Sequence, residues 1–249
     1  RKANPGQLIW LGGDRPIPGK DYKGHDTLVD VHTQHVNQVK KFTLDKETVK
    51  KHAPGVKVGF AAFNGAGNVA VPRLLKETGF TDVKVVSSLN EINGLFPAFG
   101  WGEQPDPGDP IAADIAVREF IHEHGQSAFD ELDLLIGTDP DADRAGIIVK
   151  VPKDQQKYFG KYKLLSANDA WTLLMWYRFQ READLNGGVI PNKDKKYVTL
   201  SHVTSDAPEK VAAAFGIASR GEMLNQQGRP AGGYLEGKRS WVGFAYIAA

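Results

Sequence analysis

Three aspartates alternate along one short segment of the sequence and could hold a metal ion. Positions 137–144 read Gly-Thr-Asp-Pro-Asp-Ala-Asp-Arg, so that single residues separate Asp139, Asp141 and Asp143. The apolar run Leu132–Ile136 that precedes them is typical of a buried strand. A loop at the end of this strand would present three carboxylates to one point, and Mg²⁺ prefers such hard oxygen ligands. We therefore predict a divalent-cation site with these three aspartates as ligands.

Other interpretations of this segment are a solvated turn and a calcium loop. An aspartate-rich turn can use its carboxylates to accept hydrogen bonds from neighbouring backbone amides. An EF-hand loop needs Gly at its sixth position and Glu at its twelfth, where this chain has Arg144 and Lys150, so that alternative fails. Arg144 could pair with phosphate oxygens through its planar donors, or it could simply offset the acidic charge.

A glycine-rich turn is the second motif that could do chemistry. Residues 65–70 read Gly-Ala-Gly-Asn-Val-Ala between a predicted strand and a predicted helix, which matches the dinucleotide-binding pattern. That pattern also needs an acid at the end of the next strand, about 20 residues on. The next predicted strand ends in Ser87-Ser88, and Glu91 lies further into a loop. We interpret the motif as a tight turn, and a dinucleotide-binding oxidoreductase stays a minor alternative.

Several segments resemble the α-D-phosphohexomutase superfamily, in the branch that contains phosphoglucomutase, phosphomannomutase and phosphopentomutase. The octapeptide at 137–144 resembles the metal loop of that family. Residues 64–80 are similar to its earlier strand–turn–helix, residues 161–168 to the opening of its following domain, and residues 203–206 to a later strand-to-helix junction. The resemblance follows the family order from about residue 55 to about residue 215, and it implies the second domain with part of the third.

The resemblance implies a cytoplasmic isomerase. Its reaction would be reversible phosphoryl transfer between the 1- and 6-positions of a hexose phosphate, such as glucose 1-phosphate and glucose 6-phosphate, through a phosphoserine and Mg²⁺. Asp139, Asp141 and Asp143 would then be the metal ligands, and a phosphoryl oxygen on serine would complete the set. Arg144 would be the catalytic residue beside the metal, and a sugar phosphate would be the partner.

The sequence also departs from the family pattern. Asn64 stands where the family usually has His, and Ala245-Tyr246 replaces the two acids of the family's Gly-Phe-Glu-Glu loop. The family's phosphoserine loop reads Thr-Ala-Ser-His-Asn-Pro. Ser201-His202 echoes it by accident, because it lies in a strand-like run and Val203 follows it. We expect this chain to be inactive alone, and the alternative is a non-catalytic or degenerate fragment that binds metal or sugar phosphate.

Composition narrows the class of protein. Hydrophobic residues make up 41% of the 249 residues and charged residues 24%, as in soluble globular proteins. A formal net charge of +1 argues against a nucleic-acid partner, and no apolar run has the length of a membrane span. The chain has no cysteine, which excludes disulfides and thiolate chemistry.

His25, His32 and His35 could share a helix face, but scattered surface histidines are the plainer interpretation.

The alternation of strand-like and helical segments predicts an α/β fold, with two consecutive three-layer α/β domains whose sheets are mixed or parallel. We predict a lead-in over residues 1–52, a metal-loop domain over 53–155 and an incomplete second α/β domain over 156–249. The polar stretch 152–159 marks the boundary. In the second domain the spacing predicts that Trp171, Trp176 and Tyr177 are core residues of a helix. Ser205 and Asp206 are predicted to cap the next helix.

Overall fold

The computed structural model describes residues 31–224, 230–236 and 239–242. The helices in these ranges are α1 (Val31–Val39), α2 (Lys46–His52), α3 (Gly67–Thr78), α4 (Pro110–His124), α5 (Gln126–Glu131), α6 (Gln156–Phe159), α7 (Ala167–Leu185) and α8 (Ala207–Ala214). The strands are β1 (Lys57–Ala61), β2 (Asp82–Val85), β3 (Leu134–Thr138), β4 (Ala145–Lys150), β5 (Tyr162–Leu164), β6 (Tyr197–Val198), β7 (Ala218–Leu224) and β8 (Pro230–Glu236).

A five-stranded mixed sheet with the order β2-β1-β3-β4-β5 forms the first part of the chain. Strand β1 is parallel to β2 and β3, whereas β4 is antiparallel to both of its neighbours. Helix α3 connects β1 to β2, which pairs with one edge of β1. Helices α4 and α5 connect β2 to β3, which pairs with the other edge of β1. Right-handed crossovers in opposite directions place their helices on opposite faces. The predicted mixed α/β fold class is therefore confirmed.

The main hydrophobic core lies between this sheet and helices α4 and α5. A Cβ built at Gly59 of β1 would lie 2.6 Å from Leu135 Cδ1 and 3.1 Å from Phe120 Cε2, so that glycine lets the helix approach the sheet. Phe63, Phe120 and Leu135 are at most 1% exposed. Each such side chain contributes about 1.5–3 kcal/mol through its burial. This core gives the ends of β1 and β3 a rigid support.

Helices α1 and α2 belong with this sheet, although the sequence predicted a separate lead-in up to residue 52. Val36 of α1 is 1% exposed. Arg73 Nη2 of α3 donates to Thr33 Oγ1 at 2.6 Å, and Lys40 Nζ lies 2.8 Å from a carboxylate oxygen of Glu77. The residues before position 52 therefore pack against α3 through these contacts.

The sheet also continues beyond the predicted boundary at residue 155. Strand β5 pairs with β4, with Leu164 opposite Ile148 and Tyr162 opposite Lys150. The polar residues 152–159, including α6, connect these two antiparallel strands. A surface connection between strands has the same polar composition as an interdomain linker, so composition alone could not distinguish them.

The second part of the chain contains α7, α8 and a three-stranded sheet with the order β6-β7-β8. Phe179 and Ala183 of α7 are buried in a cluster with Ala212 and Ile217. The prediction of a core position was wrong for three α7 residues, since the exposed fractions are 64% for Trp171, 46% for Trp176 and 37% for Tyr177. Helix α8 covers the face of α7 that carries Phe179 and Ala183, and these are the buried residues of α7.

Two further predictions concern the end of the chain. The sequence also predicts a strand over residues 197–203, but β6 ends at Val198, and Ser201 forms a single bridge with Ser240. The sequence predicts a further strand at Trp241–Ile247, and most of it lies outside the described residues. Across the described ranges, no helix has both the length and the apolar character that a bilayer crossing requires.

Candidate metal centre

The three aspartates lie in the turn of a β-hairpin formed by β3 and β4. Thr138 and Ala145 are the last paired residues, and the Ala142 N–H donates to the Asp139 carbonyl at 3.0 Å. Ala142 has a φ of 60°. The turn brings carboxylate oxygens of Asp139, Asp141 and Asp143 within 4.8 Å of one another. The antiparallel hairpin thus brings together the three side chains that the sequence singled out.

The environment of this triad suits a divalent cation. Asp139 is 4% exposed, whereas Asp141 and Asp143 are open to solvent. The pKa of Asp139 is raised, first by burial and then by the two neighbouring carboxylates. The 2.9 Å hydrogen bond from the Arg144 N–H acts in the opposite direction and lowers it. A bound dication would relieve the repulsion among three carboxylates. All three groups offer the hard oxygen atoms that Mg²⁺ prefers, so the donor set fits this ion.

Arg144 connects the hairpin turn to the long loop that precedes α4. Its Nη1 lies 2.6 Å from Asp106 Oδ2, and its Nε lies 3.4 Å from Asp139 Oδ2 and 3.7 Å from Asp143 Oδ1. These carboxylates, Asp106 first, raise the pKa of the guanidinium. The side chain is 62% exposed, so solvent reaches it. Asp106 belongs to none of the sequence motifs above, and its only local signal in the sequence is the Pro-Asp-Pro-Gly turn around it.

The glycine-rich turn after β1 lies against the hairpin turn. The Ala66 N–H donates to the Pro140 carbonyl at 2.8 Å. A Cβ built at Gly65 would lie 2.3 Å from Pro140 Cα, so the hairpin backbone occupies the space beside this glycine. In a dinucleotide-binding fold, the cofactor pyrophosphate approaches such a turn. This packing argues against the dinucleotide-binding alternative, which also lacked the acid at the end of β2.

Asn64 ties the same turn to the segment that follows β2. Its side chain is buried, and its Nδ2 donates to the carbonyls of Ser88 at 3.0 Å and Glu91 at 2.9 Å. A φ of 57° places Asn64 in the left-handed region, which asparagine tolerates better than most residues. At the position where the resemblance expects His, Asn64 therefore cross-links two loops.

Other candidates from the sequence have structural roles or lie on the surface. Ser201 is 9% exposed and its Oγ lies 3.0 Å from Thr204 Oγ1, which supports the interpretation of its motif as an accidental echo. Asp206 was predicted to cap α8, but its side chain makes no cap and instead lies 2.7 Å from Arg239 Nη2. The cap prediction failed because the arginine, distant in sequence, attracts the carboxylate.

The predicted histidine cluster is divided between described and undescribed parts of the chain. His32 and His35 are exposed on α1, whereas His25 lies outside the described residues. Among the residues that the structure describes, the aspartate triad is the one group of three or more ligand-type side chains with metal-binding spacing.

Comparison with known proteins identifies the domain that carries this triad. Residues 31–152 match the phosphoglucomutase/phosphomannomutase alpha/beta/alpha domain II family. Residues 31–152 therefore form a domain of the phosphoglucomutase/phosphomannomutase domain II type. The resemblance to the α-D-phosphohexomutase superfamily is thereby confirmed. The family match begins at residue 31 and so includes α1 and α2, in agreement with their packing on α3.

Curated relatives and a solved structure extend the likeness beyond this domain. Staphylococcus haemolyticus phosphoglucomutase is 32% identical over 106 residues, which are 42% of this chain and 17% of that protein. Staphylococcus saprophyticus phosphoglucomutase is 29% identical over 167 residues, which are 66% of this chain and 26% of that protein. A Thermus thermophilus chain designated a phosphomannomutase has a similar fold, with 16% identity and a TM-score of 0.54. That likeness covers 79% of this chain and 37% of the solved one.

Proposed function

We propose that this chain supplies the metal-binding part of a phosphohexomutase. The reaction is the reversible transfer of a phosphoryl group between the 1- and 6-positions of a hexose phosphate, with glucose 1-phosphate and glucose 6-phosphate as the substrate pair. The observation that carries the proposal is the convergence of three carboxylates within 4.8 Å inside the domain that the family match covers. The matched relatives are longer than this chain, which aligns with about a quarter or less of their length.

Each residue of the site has a definite task in this proposal. Asp139, Asp141 and Asp143 hold Mg²⁺, which when bound neutralises charge on the phosphoryl group. The hydrogen bond from the Arg144 N–H orients the buried Asp139 carboxylate. The exposed Arg144 guanidinium offers the planar donors that bind phosphate oxygens two at a time. To do so it exchanges its contact with Asp106 for the phosphate.

The residues of this chain account for only the metal site among the parts that the reaction needs. Phosphoryl transfer requires nucleophile, metal and substrate clamp to be held together. The family's phosphoserine pattern does not occur in this sequence. We therefore expect no mutase turnover by this polypeptide on its own, and turnover in an assay with glucose 1-phosphate would contradict that expectation.

A second candidate function is a non-catalytic module that binds metal or sugar phosphate. The observation in its favour is Ala245-Tyr246, which stands where the resemblance expects two sugar-binding acids. The intact Asp-Pro-Asp-Ala-Asp-Arg segment favours the enzyme. Both functions use the same metal site, so that site is the first property to test.

The test is a calorimetric titration of the protein with MgCl₂. We expect Asp141→Asn to raise the Mg²⁺ dissociation constant by at least about tenfold, because it removes an anionic ligand. Asp154→Asn is the matched control, since Asp154 is also exposed but lies in the connection between β4 and α6. Equal Mg²⁺ affinity of the protein and its Asp141→Asn variant would overturn the assignment of the metal site.

A further inference from the structure

Within the glycine turn, residues 65–67, Gly65 touches the hairpin turn at backbone atoms rather than at a side chain. A Cβ built at Gly65 would lie 2.3 Å from both the Cα and the carbonyl oxygen of Pro140, and 2.6 Å from its carbonyl carbon. These distances are far below normal contact, and a backbone cannot rotate away as a side chain can. Any side chain at position 65 must therefore displace one of the two turns.

The atoms that Gly65 touches lie between two of the proposed metal ligands. Pro140 is flanked by Asp139 and Asp141, and its carbonyl accepts the hydrogen bond from the Ala66 N–H. The proline ring fixes φ at position 140, which limits how the loop can adjust there. A displacement of Pro140 therefore moves both neighbouring carboxylates.

The glycine turn itself is firmly anchored, so the hairpin turn is the side that yields. The Asn64 N–H donates to the Leu89 carbonyl at 2.7 Å, and the Gly65 N–H donates to the Ala62 carbonyl at 3.0 Å. The Asn64 side chain adds two hydrogen bonds to the segment after β2. Ala62 and Leu89 are fully buried, whereas Asp141 on the hairpin turn is exposed.

We propose that the glycine turn positions the carboxylates of the metal loop, with Gly65 as the principal positioning residue. This inference rests on the proposed function and deepens it by assigning the residues that set the selectivity of the site. Mg²⁺ demands nearly ideal octahedral geometry at short distances, whereas Ca²⁺ accepts longer and less regular coordination. A displaced loop therefore loses affinity for Mg²⁺ more than for Ca²⁺.

The experiment compares Gly65→Ala with Gly94→Ala in calorimetric titrations with MgCl₂ and with CaCl₂. A Cβ built at Gly94 meets nothing within 4 Å, so Gly94→Ala makes the same chemical change without the clash. We expect Gly65→Ala to raise the Mg²⁺ dissociation constant by about 10- to 100-fold, as for other residues that support metal ligands. We expect the Ca²⁺ dissociation constant to rise less, so the preference for Mg²⁺ over Ca²⁺ falls. A general loss of stability would not change that preference.

A second pair of variants applies if Gly65→Ala does not fold. A Cβ built at Gly67 would lie 2.7 Å from Thr138 Oγ1 but 3.6 Å from Thr138 Cβ, so Thr138→Ala relieves this clash. We expect Gly67→Ala to lower the preference for Mg²⁺ and the double variant Gly67→Ala/Thr138→Ala to restore it. An unchanged preference in Gly67→Ala, or no recovery in the double variant, overturns the inference.

The outcomes separate this inference from the proposed function. If the unaltered protein binds Mg²⁺ and folded Gly65→Ala keeps the same affinity and preference, the positioning role is wrong and the metal site stands. If the unaltered protein does not bind Mg²⁺, both are wrong.

Discussion

At the scale of single residues, Arg144 shows how one position can serve the site in two ways. Its backbone N–H donates to the Asp139 carboxylate, and that bond uses no side-chain atom of Arg144. Its guanidinium meets Asp106 from a different loop, and that contact depends on the side chain. A side-chain variant at Arg144 therefore removes the guanidinium contacts with Asp106, Asp139 and Asp143 but keeps the backbone hydrogen bond to Asp139.

Glu123 provides a test of a single carboxylate outside the site. It accepts the backbone N–H groups of Ser87 at 2.7 Å and Ser88 at 2.8 Å. Burial tends to raise the pKa of Glu123, but these N–H groups outweigh it and hold the pKa below its usual value. The resulting stability is fully present above the unfolded-state pKa, about 4.3, and is lost as pH falls through the folded-state pKa.

We predict that Glu123→Gln lowers the free energy of unfolding at pH 7 by about 1–2 kcal/mol. The substitution removes the charge from the acceptor of two hydrogen bonds, and solvent partly screens the effect. Urea unfolding at pH 7 and at successively lower pH should show this difference shrinking below about pH 4. Glu91→Gln is the control, because the Glu91 side chain is exposed. A difference that stays constant with pH would contradict the assigned cause.

At the scale of elements, the site exists because two loops leave the same edge of one sheet. Strands β1 and β3 are parallel neighbours, so the glycine turn after β1 and the aspartate turn after β3 emerge side by side. Ligands of open α/β sheets bind at this carboxyl edge. Strand β4 then returns antiparallel, which closes the aspartate turn into a hairpin.

Strand β5 gives a test of where the first domain ends. The Tyr162 hydroxyl donates to the Phe129 carbonyl at 2.6 Å, and the two rings lie 4.3 Å apart. We predict that a fragment of residues 31–165 unfolds at a higher urea concentration than a fragment of residues 31–155. In the whole chain, Tyr162→Phe should cost about 1 kcal/mol, the value of one hydrogen bond. Equal unfolding midpoints of the two fragments would show that β5 adds nothing to the domain.

At the scale of the whole molecule, Asp45 connects the two parts of the chain. It lies before α2, where its Oδ1 accepts the Thr48 N–H at 3.0 Å, and its Oδ2 pairs with Arg181 of α7. Its side chain is 7% exposed. The hydrogen bond from Thr48 and the contact with Arg181 both lower the pKa of Asp45. Its contribution to stability is therefore present at neutral pH and is lost as pH falls through the folded-state pKa.

Two substitutions separate the cap of α2 from the ion pair between the parts. Asp45→Ser keeps a good helix cap and loses the pair, whereas Asp45→Ala loses both. We predict that calorimetric melting at pH 7 gives a lower midpoint for Asp45→Ser than for the unaltered protein, and a still lower one for Asp45→Ala. Asp184→Asn, which removes the neighbouring acidic partner of Arg181 within α7, is the control. Equal midpoints for the unaltered protein and Asp45→Ser would show that the pair contributes nothing.

The sequence by itself determined the α/β class and the aspartate segment, because both follow from short runs of neighbouring residues. Apolar periodicity reports a strand or a helix locally, and Asp-Pro-Asp-Ala-Asp-Arg is contiguous. Only the tertiary structure decided that α1 packs on α3, that β5 joins the first sheet and that the α7 aromatic residues are exposed. It alone also placed Gly65 against Pro140 and Asp106 against Arg144. These contacts join residues far apart in the chain, and the pairing of strands that brings them together leaves no trace in either local segment.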